Sequence, residues 1–329
     1  RSCDLGATTA IGGYNSYGGY FSEPAGTQLV TPTASIRDMT NAAWVKGATM
    51  TAAKTGTGID GVTNSCSRLT GGAVAATNTV FQTLTAAASS RTYSVWLKRV
   101  TGTGVINLTE DALGTATDVT ASLNTSTFTR VSVTASVLNA SFGIQIVTSG
   151  DVILADFNQF EAGGGATSPM DAAGAVRNAD TLSYSLTGGG SGTLYAESAS
   201  MYAAAGHTGF IAGRSAAGDT SDIVYMVAGE PNIQMAMFNA TVLQANISAA
   251  SAGFHQITKA ATSYELNAVD FAVNGTLGTQ DTSATMPATS TIYIGAIPSG
   301  VASLGGTIRN VRAWDTKLSA AQLQNLTSG

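Results

Sequence analysis

Charge is what this chain has least of. Lys, Arg, Asp and Glu make up 11% of its 329 residues, far below the quarter usual in a globular chain. Ala, Gly, Ser and Thr fill the gap. The shortage does not imply disorder, because 44% hydrophobic residues at a net charge of −5 can bury a core. It does speak against nucleic acid as a partner: no block of like charge occurs, and phosphate binding needs clustered Lys and Arg. Long apolar runs are missing too. None approaches the roughly 18 residues of a membrane span, so no membrane insertion is expected. The opening RSCDLGATTA does not read as a signal peptide, and without an initiator Met, Arg1 is expected to follow other translated residues.

Cysteine and histidine are nearly absent, at two each. Cys3 and Cys66 are too few for a disulfide framework and lack metal spacing. They read as two isolated small hydrophobes, with a mutual disulfide as the alternative. His207 and His255 lie far apart in sequence, which removes most zinc sites and most His-dependent triads. The Gly-rich run Gly188-Gly189-Gly190-Ser191-Gly192 has neither the strained elbow of a serine nucleophile nor the Gly-Lys-Ser/Thr end of a phosphate loop.

What the chain does have is short strands separated by turn signals, the pattern of a sandwich or barrel. From Thr27 to Glu161 these include VFQTLTA, TYSVWLKRV, VINLTED, FTRVSVTASV, FGIQIVTSG and DVILADFNQF. In TYSVWLKRV, Tyr93, Val95 and Leu97 share one face, and Ser94, Trp96 and Lys98 the other. Eight or more strands are expected in this stretch, enough for two packed sheets. After Val152-Ile153-Leu154 the chain breaks on Gly163-Gly164-Gly165 and on Pro169, and alternation resumes only after Leu182, which reads as a domain boundary. A second β module follows. SDIVYMVAGEPNIQMAMFNAT is expected to be a hairpin turning at Ala228-Gly229-Glu230-Pro231-Asn232, and Asn274-Gly275 is a hairpin turn of the primed kind. GGTIRNVRAWDTKLSAAQLQNL reads as a strand with Ile308, Val311 and Trp314 packed inward, then a short helix capped by Ser319 with Gln322 three residues on.

The expected fold is therefore all-β: two antiparallel β-sandwich (jelly-roll) domains and a short C-terminal helix. The boundaries are an N-terminal arm at 1–26, a first sandwich at 27–165, a linker at 166–185 and a second sandwich at 186–329. The arm, IGGYNSYGGYFSEPAG at its centre, carries too many glycines for a regular element. Tyr14, Tyr17, Tyr20 and Phe21 are apolar anchors it could bury in a neighbour.

Both sandwiches carry resemblances. Arg37-Asp38 ahead of Asn41-x-x-Trp44, the Gly58-x-Asp60-Gly61 turn, Gln82-Thr83-Leu84-Thr85, TYSVWLKR, FTRVSV and the closing FEAGGGATSPM…GAVRNADTLSY resemble the carbohydrate-binding-module-like jelly roll of many bacteriophage virion proteins. The chain departs from that pattern at Asp156-Phe157-Asn158, where a Gly-Ala pair is commoner, and at Pro169-Met170. The final strand, Asp-x-x-Leu-Ser and short helix resemble the close of the laminin-G/concanavalin-A-like lectin fold found in phage appendage proteins. Together the resemblances imply a structural protein on the virion surface of a tailed phage, in a tail or head appendage or decoration. They imply assembly as a homo-oligomer, other virion proteins as partners, and contact with host-surface glycans. The lectin fold is shared by sugar binders, glycosidases and structural domains, so activity must be argued from sites.

Glycoside hydrolysis needs two carboxyls held about 5–9 Å apart. Glu110-Asp111 and Asp219-x-x-Asp222 are the close clusters, and both read as solvated turn residues, so no catalysis is expected. A glycan depolymerase using such a pair, or a secreted sugar-binding protein, are the alternatives. No cofactor is expected; Asp60, Asp219 and Asp222 are calcium candidates, against Asx-turns without an ion. Sugar binding asks for aromatics that stack on pyranose faces beside amide partners. Trp96, His207, Tyr225 and Phe238 are the candidates, whereas Trp314 reads as core.

Overall fold

The computed structural model describes residues 2–5, 20–22, 25–177, 182–185, 190–200, 208–214, 222–229, 232–250, 252–253, 256–297 and 302–328. It is all-β with antiparallel sheets and one helix at the C-terminal end. The chain divides into two compact units, Gly26–Arg177 and a second made of Arg1–Ala25 with Asn178–Gly329.

In Gly26–Arg177, two five-stranded sheets face one another. One runs Ala116–Asp118, Ile106–Thr109, Ser141–Ile146, Thr79–Thr83, Val45–Lys46. The other runs Thr129–Val137, Ser89–Thr101, Val152–Ala162, Cys66–Thr70, Thr51–Gly56. The alternation of TYSVWLKRV is realised: Tyr93, Val95 and Leu97 are fully buried in the core, while Trp96 and Lys98 point out of the sandwich. Four rings build the centre. Phe142 stacks on Phe160 at 4.1 Å, and Trp44 meets Phe142 edge-on at 5.7 Å, the geometries aromatic quadrupoles favour. Burial leaves the polar tips of these rings needing partners. The Trp44 indole N–H donates to the Ser35 carbonyl at 2.8 Å, and the Tyr93 hydroxyl to Asn158 Oδ1 at 2.7 Å.

Asp156-Phe157-Asn158, the departure noted above, is a β-bulge in the Val152–Ala162 strand. Phe157 takes a positive φ of 46° there, and the slip in register turns Asn158 into the core. The stretch after the glycines does not leave this unit as a linker at once. Thr167 and Met170 are buried, and Val176–Arg177 pairs with Gly26–Thr27.

The other unit packs a seven-stranded sheet against a six-stranded one. Its core is aliphatic and Met-rich, with Leu194, Met226, Met235, Met237, Phe271 and Ile308 among the buried residues. The hairpin joining Ile223–Gly229 to Asn232–Asn239 is present, and Asn274 and Gly275 turn the chain with positive φ at both positions, as a primed turn requires. Two pieces of the N-terminal stretch, Ser2–Leu5 and Tyr20–Ser22, pair with the final strand Gly306–Trp314 of the same chain. No period announces them, because segments this short among glycines carry no amphipathic signal.

The helix Ala320–Ser328 lies on the outer face of the seven-stranded sheet, with Leu323 buried beside Tyr195, Ala261 and Ala272. Its capping box is formed as the spacing predicts: Gln322 Oε1 accepts the Ser319 N–H at 2.8 Å, and Ser319 Oγ accepts the Gln322 N–H at 3.3 Å. Trp314 packs under this helix with Leu318 and Leu326. Ile308 and Val311 point into the other core; the three apolar residues of that strand do not share one face, because the positive φ of Asn310 breaks the alternation.

Candidate functional site

Tyr225 and Phe238 come together in the six-stranded sheet. They sit on adjacent strands of one hairpin, Tyr225 opposite Ala236 and Phe238 two residues further along, so their side chains are diagonal neighbours on one face. The rings lie nearly parallel, 10° apart in plane and 6.2 Å between centroids. Burial raises the pKa of the Tyr225 hydroxyl above its ordinary value. The face is the one turned away from the core, since the intervening Val224, Met226, Met235 and Met237 fill the interior.

Cross-strand pairing extends the site. Ser183, Tyr293, Ala212, Tyr225, Ala236 and Asn246 stand in one row across all six strands. Ala212 and Ala236, the buried cross-strand neighbours of Tyr225, place no bulky side chain on either side of its ring. Tyr293 is half-buried, Asn246 is exposed, and the Gln234 amide hydrogen-bonds the Asn246 side-chain oxygen. Rings flanked by small residues, with amides at the edge, suit a pyranose: the apolar sugar face stacks and its hydroxyls meet the amides. Tyr293, Gln234 and Asn246 were not singled out from the sequence. A signal for Tyr293 was available, since STIYIGAI alternates and puts it opposite the buried Ile292 and Ile294.

His207 lies outside the described residues. Trp96 is in the Gly26–Arg177 unit. It is half-buried on the outer face of its sheet, between Arg130 on one neighbouring strand and Asp156 on the other. Arg130 is drawn aside to Ser94 Oγ at 2.9 Å and to the Thr167 carbonyl. Asp156, fully buried, takes a bidentate pair from Arg37 at 2.8 and 2.9 Å.

Arg37 also reaches Asp60 at 2.6 Å and lies over the Phe157 ring at 4.3 Å. Its partners hold the guanidinium more firmly charged than usual, the Asp156 hydrogen bonds first. The Asp60 carboxyl is in turn held far below the ordinary carboxylate range, chiefly by Arg37 and then by the Val62 N–H. A side-chain cation thus occupies the place that the sequence offered to calcium at Asp60. Asp222 accepts the Ala240 N–H at 3.1 Å, and Asp219 lies outside the described residues. Among the described residues no group of three or more His, Cys, Asp or Glu could hold a metal. Cys66 is a free, buried thiol raised to about 11, by burial first and then by the nearby Asp156 charge.

The carboxylate cluster in Gly26–Arg177 is split between two environments. Asp111 is a turn residue, accepting from the Thr115 N–H at 2.7 Å and Thr109 Oγ1 at 2.8 Å. Glu110 is not solvated. It is 1% exposed, accepts the Tyr93 backbone N–H at 2.9 Å, and burial pushes its pKa up to about 8. Its other oxygen has no hydrogen-bond partner. The expectation of two solvated acids fails at Glu110, because the chain folds this residue inward between the sheets.

In the second unit Glu197 is tied to Tyr195, Arg309 and Asn310 at 2.8, 2.6 and 2.9 Å. Burial opposes its charge, but hydrogen bonds from Asn310, Tyr195 and Arg309 outweigh burial and lower its pKa. Asp270 is held by Lys317 and Gln280 at 2.5 and 2.9 Å.

No family model matches this sequence, and no curated protein matches it. Solved structures with a similar architecture exist. The CBM40 module of the Ruminococcus gnavus IT-sialidase, bound to α2,3-sialyllactose, is 13% identical over 43% of this chain and 84% of the module, with a TM-score of 0.36. The native heptameric SAP-like pentraxin of Limulus polyphemus is 14% identical over 45% of this chain and 75% of that one, with a TM-score of 0.37. A leech intramolecular trans-sialidase is 17% identical over 43% of this chain and 24% of its own, with a TM-score of 0.36. Likeness at this level transfers no residue role and no ligand to the present chain.

Proposed function

We propose that this chain is a non-enzymatic, saccharide-binding structural protein of a tailed-phage virion, exposed on the particle and contacting host-surface glycans. The observation that carries the binding reading is the Tyr225–Phe238 stack, with Tyr293, Ala212 and Ala236 in register beside it and Asn246 at the edge. The virion setting rests on the sequence resemblances of both modules. Homo-oligomeric assembly is part of the same reading and rests on the low charge and the Thr- and Gly-rich composition of the chain.

The state of the carboxylates favours binding over hydrolysis. A glycosidase needs a facing pair with a raised general acid. Here Glu197 and Asp270 are neutralised by cations and amides, and Glu110, whose pKa is raised, is inside the core.

A glycan array probed with the full chain and with Tyr225→Ala tests the reading. The expected result is a defined set of bound saccharides that Tyr225→Ala loses while its unfolding midpoint stays near that of the parent. Binding retained in full by the variant, or no saccharide bound by the parent, would sink it.

A further inference from the structure

We propose that the Gly26–Arg177 unit carries a separate site for an acidic saccharide, in which a pyranose ring lies on Trp96 and its carboxylate is held between Lys98 and Arg68. The register places these groups together. Leu154, in the middle strand, pairs with Lys98 on one side and Arg68 on the other. Cross-strand partners share a face, and neighbouring strands are about 4.8 Å apart, so the two cations start about 10 Å apart with Leu154 between them. Both side chains are long enough to meet an anion above that residue. Trp96 precedes Lys98 by two residues on the same strand and therefore stands on the same face.

Leu154 lies outside the cluster that buries Ile153 and Ala155, as a floor residue of the outer face would. Phe128 closes one side, with the Lys98 ammonium 5.8 Å from its ring centroid. The Arg37–Asp156–Asp60 clamp borders Trp96 through Asp156, its cross-strand neighbour.

Three features select the ligand. Among the described residues Lys98 and Arg68 have no carboxylate partner, and the Trp96 indole N–H makes no hydrogen bond. Asp156, the acid nearest Trp96 in register, is bound bidentately by Arg37. The face is therefore cationic in a chain whose net charge is −5. Two unpartnered cations are too few for a nucleic-acid track, which needs a stripe of them. A flat aromatic with a free N–H, flanked by two cations, instead matches a sugar ring bearing one carboxylate, as in uronic and sialic acids. This site is independent of the Tyr225 face.

Calorimetric titration of the full chain decides it. The probes are trigalacturonate, a sialic-acid dimer, neutral galactotriose and inorganic phosphate. At least one acidic oligosaccharide should bind, and galactotriose about tenfold or more weakly. Arg68→Gln/Lys98→Gln, both on the protein surface, should lower the acidic affinity by about tenfold or more, as should raising salt from about 50 mM to about 500 mM. Trp96→Ala should abolish binding, and Tyr225→Ala should leave it unchanged. The proposal is overturned if neither acidic probe binds, if galactotriose binds as well, or if the double variant keeps full affinity. It is equally overturned if phosphate competes as well as the saccharide, which would mark a simple anion site.

Discussion

Glu110 reaches from one sheet of the Gly26–Arg177 sandwich to the backbone of Tyr93 in the other, accepting its N–H at 2.9 Å. A backbone donor of the Ser89–Thr101 strand is thereby satisfied by a carboxyl group from the opposite layer, and the second carboxyl oxygen is left without a partner.

Stability should therefore fall as pH rises. Burial pushes the Glu110 carboxyl up to about 8 in the folded protein, well above the ordinary carboxyl range. A raised pKa contributes stability that is fully present below the unfolded value and is lost as pH climbs through the folded one. Between pH 5 and pH 9 the parent should lose stability on the order of a few kcal/mol. Glu110→Gln keeps an acceptor for the Tyr93 N–H and removes the titration. Its denaturant midpoint should be flat over the same range once other groups are subtracted. Parallel pH profiles for the two proteins would refute this role.

Removing Arg37 should be costly beyond the loss of a surface ion pair. Asp156 is completely buried, while the Arg37 side chain is 25% exposed. Breaking a buried pair from one side leaves an uncompensated charge and costs about 3–5 kcal/mol; solvent screening at the partly exposed Arg37 lowers this to about 2–3. Arg37→Ala should show that loss in chemical denaturation, and Asp156→Asn added to it should recover part. A double variant no more stable than Arg37→Ala would contradict the pairing argument.

The C-terminal helix offers a graded test. Ser319→Ala removes the side-chain half of its cap and should cost about 1 kcal/mol. Leu323→Ala opens a cavity against Tyr195, Ala261 and Ala272 and should cost about 2–4 kcal/mol. Urea unfolding of the two variants should rank them in that order; the reverse would mean that the helix contributes through its end and not its packed face.

At the saccharide face, Phe238→Ala should weaken binding less than Tyr225→Ala. Tyr225 is central in the row and Phe238 is its diagonal support. Affinities from titration with a saccharide identified on the array give the ranking, and equal losses would show that both rings touch the ligand directly.

Much of this was legible in the chain itself, because it is local. A period of two is set by the strand backbone, so YSVWLK by itself put Tyr93, Val95 and Leu97 on one face and Ser94, Trp96 and Lys98 on the other; which face meets the core was decided by the packing of the sheets. Asn274-Gly275 and the Ser319–Gln322 spacing act over a few residues and came out as written. Register between distant strands is not local. The Tyr225–Phe238 stack depends on how one hairpin pairs, and the Tyr293 row on the pairing of Tyr293 with Ala212, some eighty positions earlier. Arg37 and Asp156 are separated by more than a hundred residues, and nothing in either neighbourhood names the other. Glu110 and Asp111 show the limit most simply. Adjacent in sequence, they read alike as turn acids. Only the stacking of two sheets, which satisfies a backbone donor with one of them and leaves the other in water, gave them different chemistry.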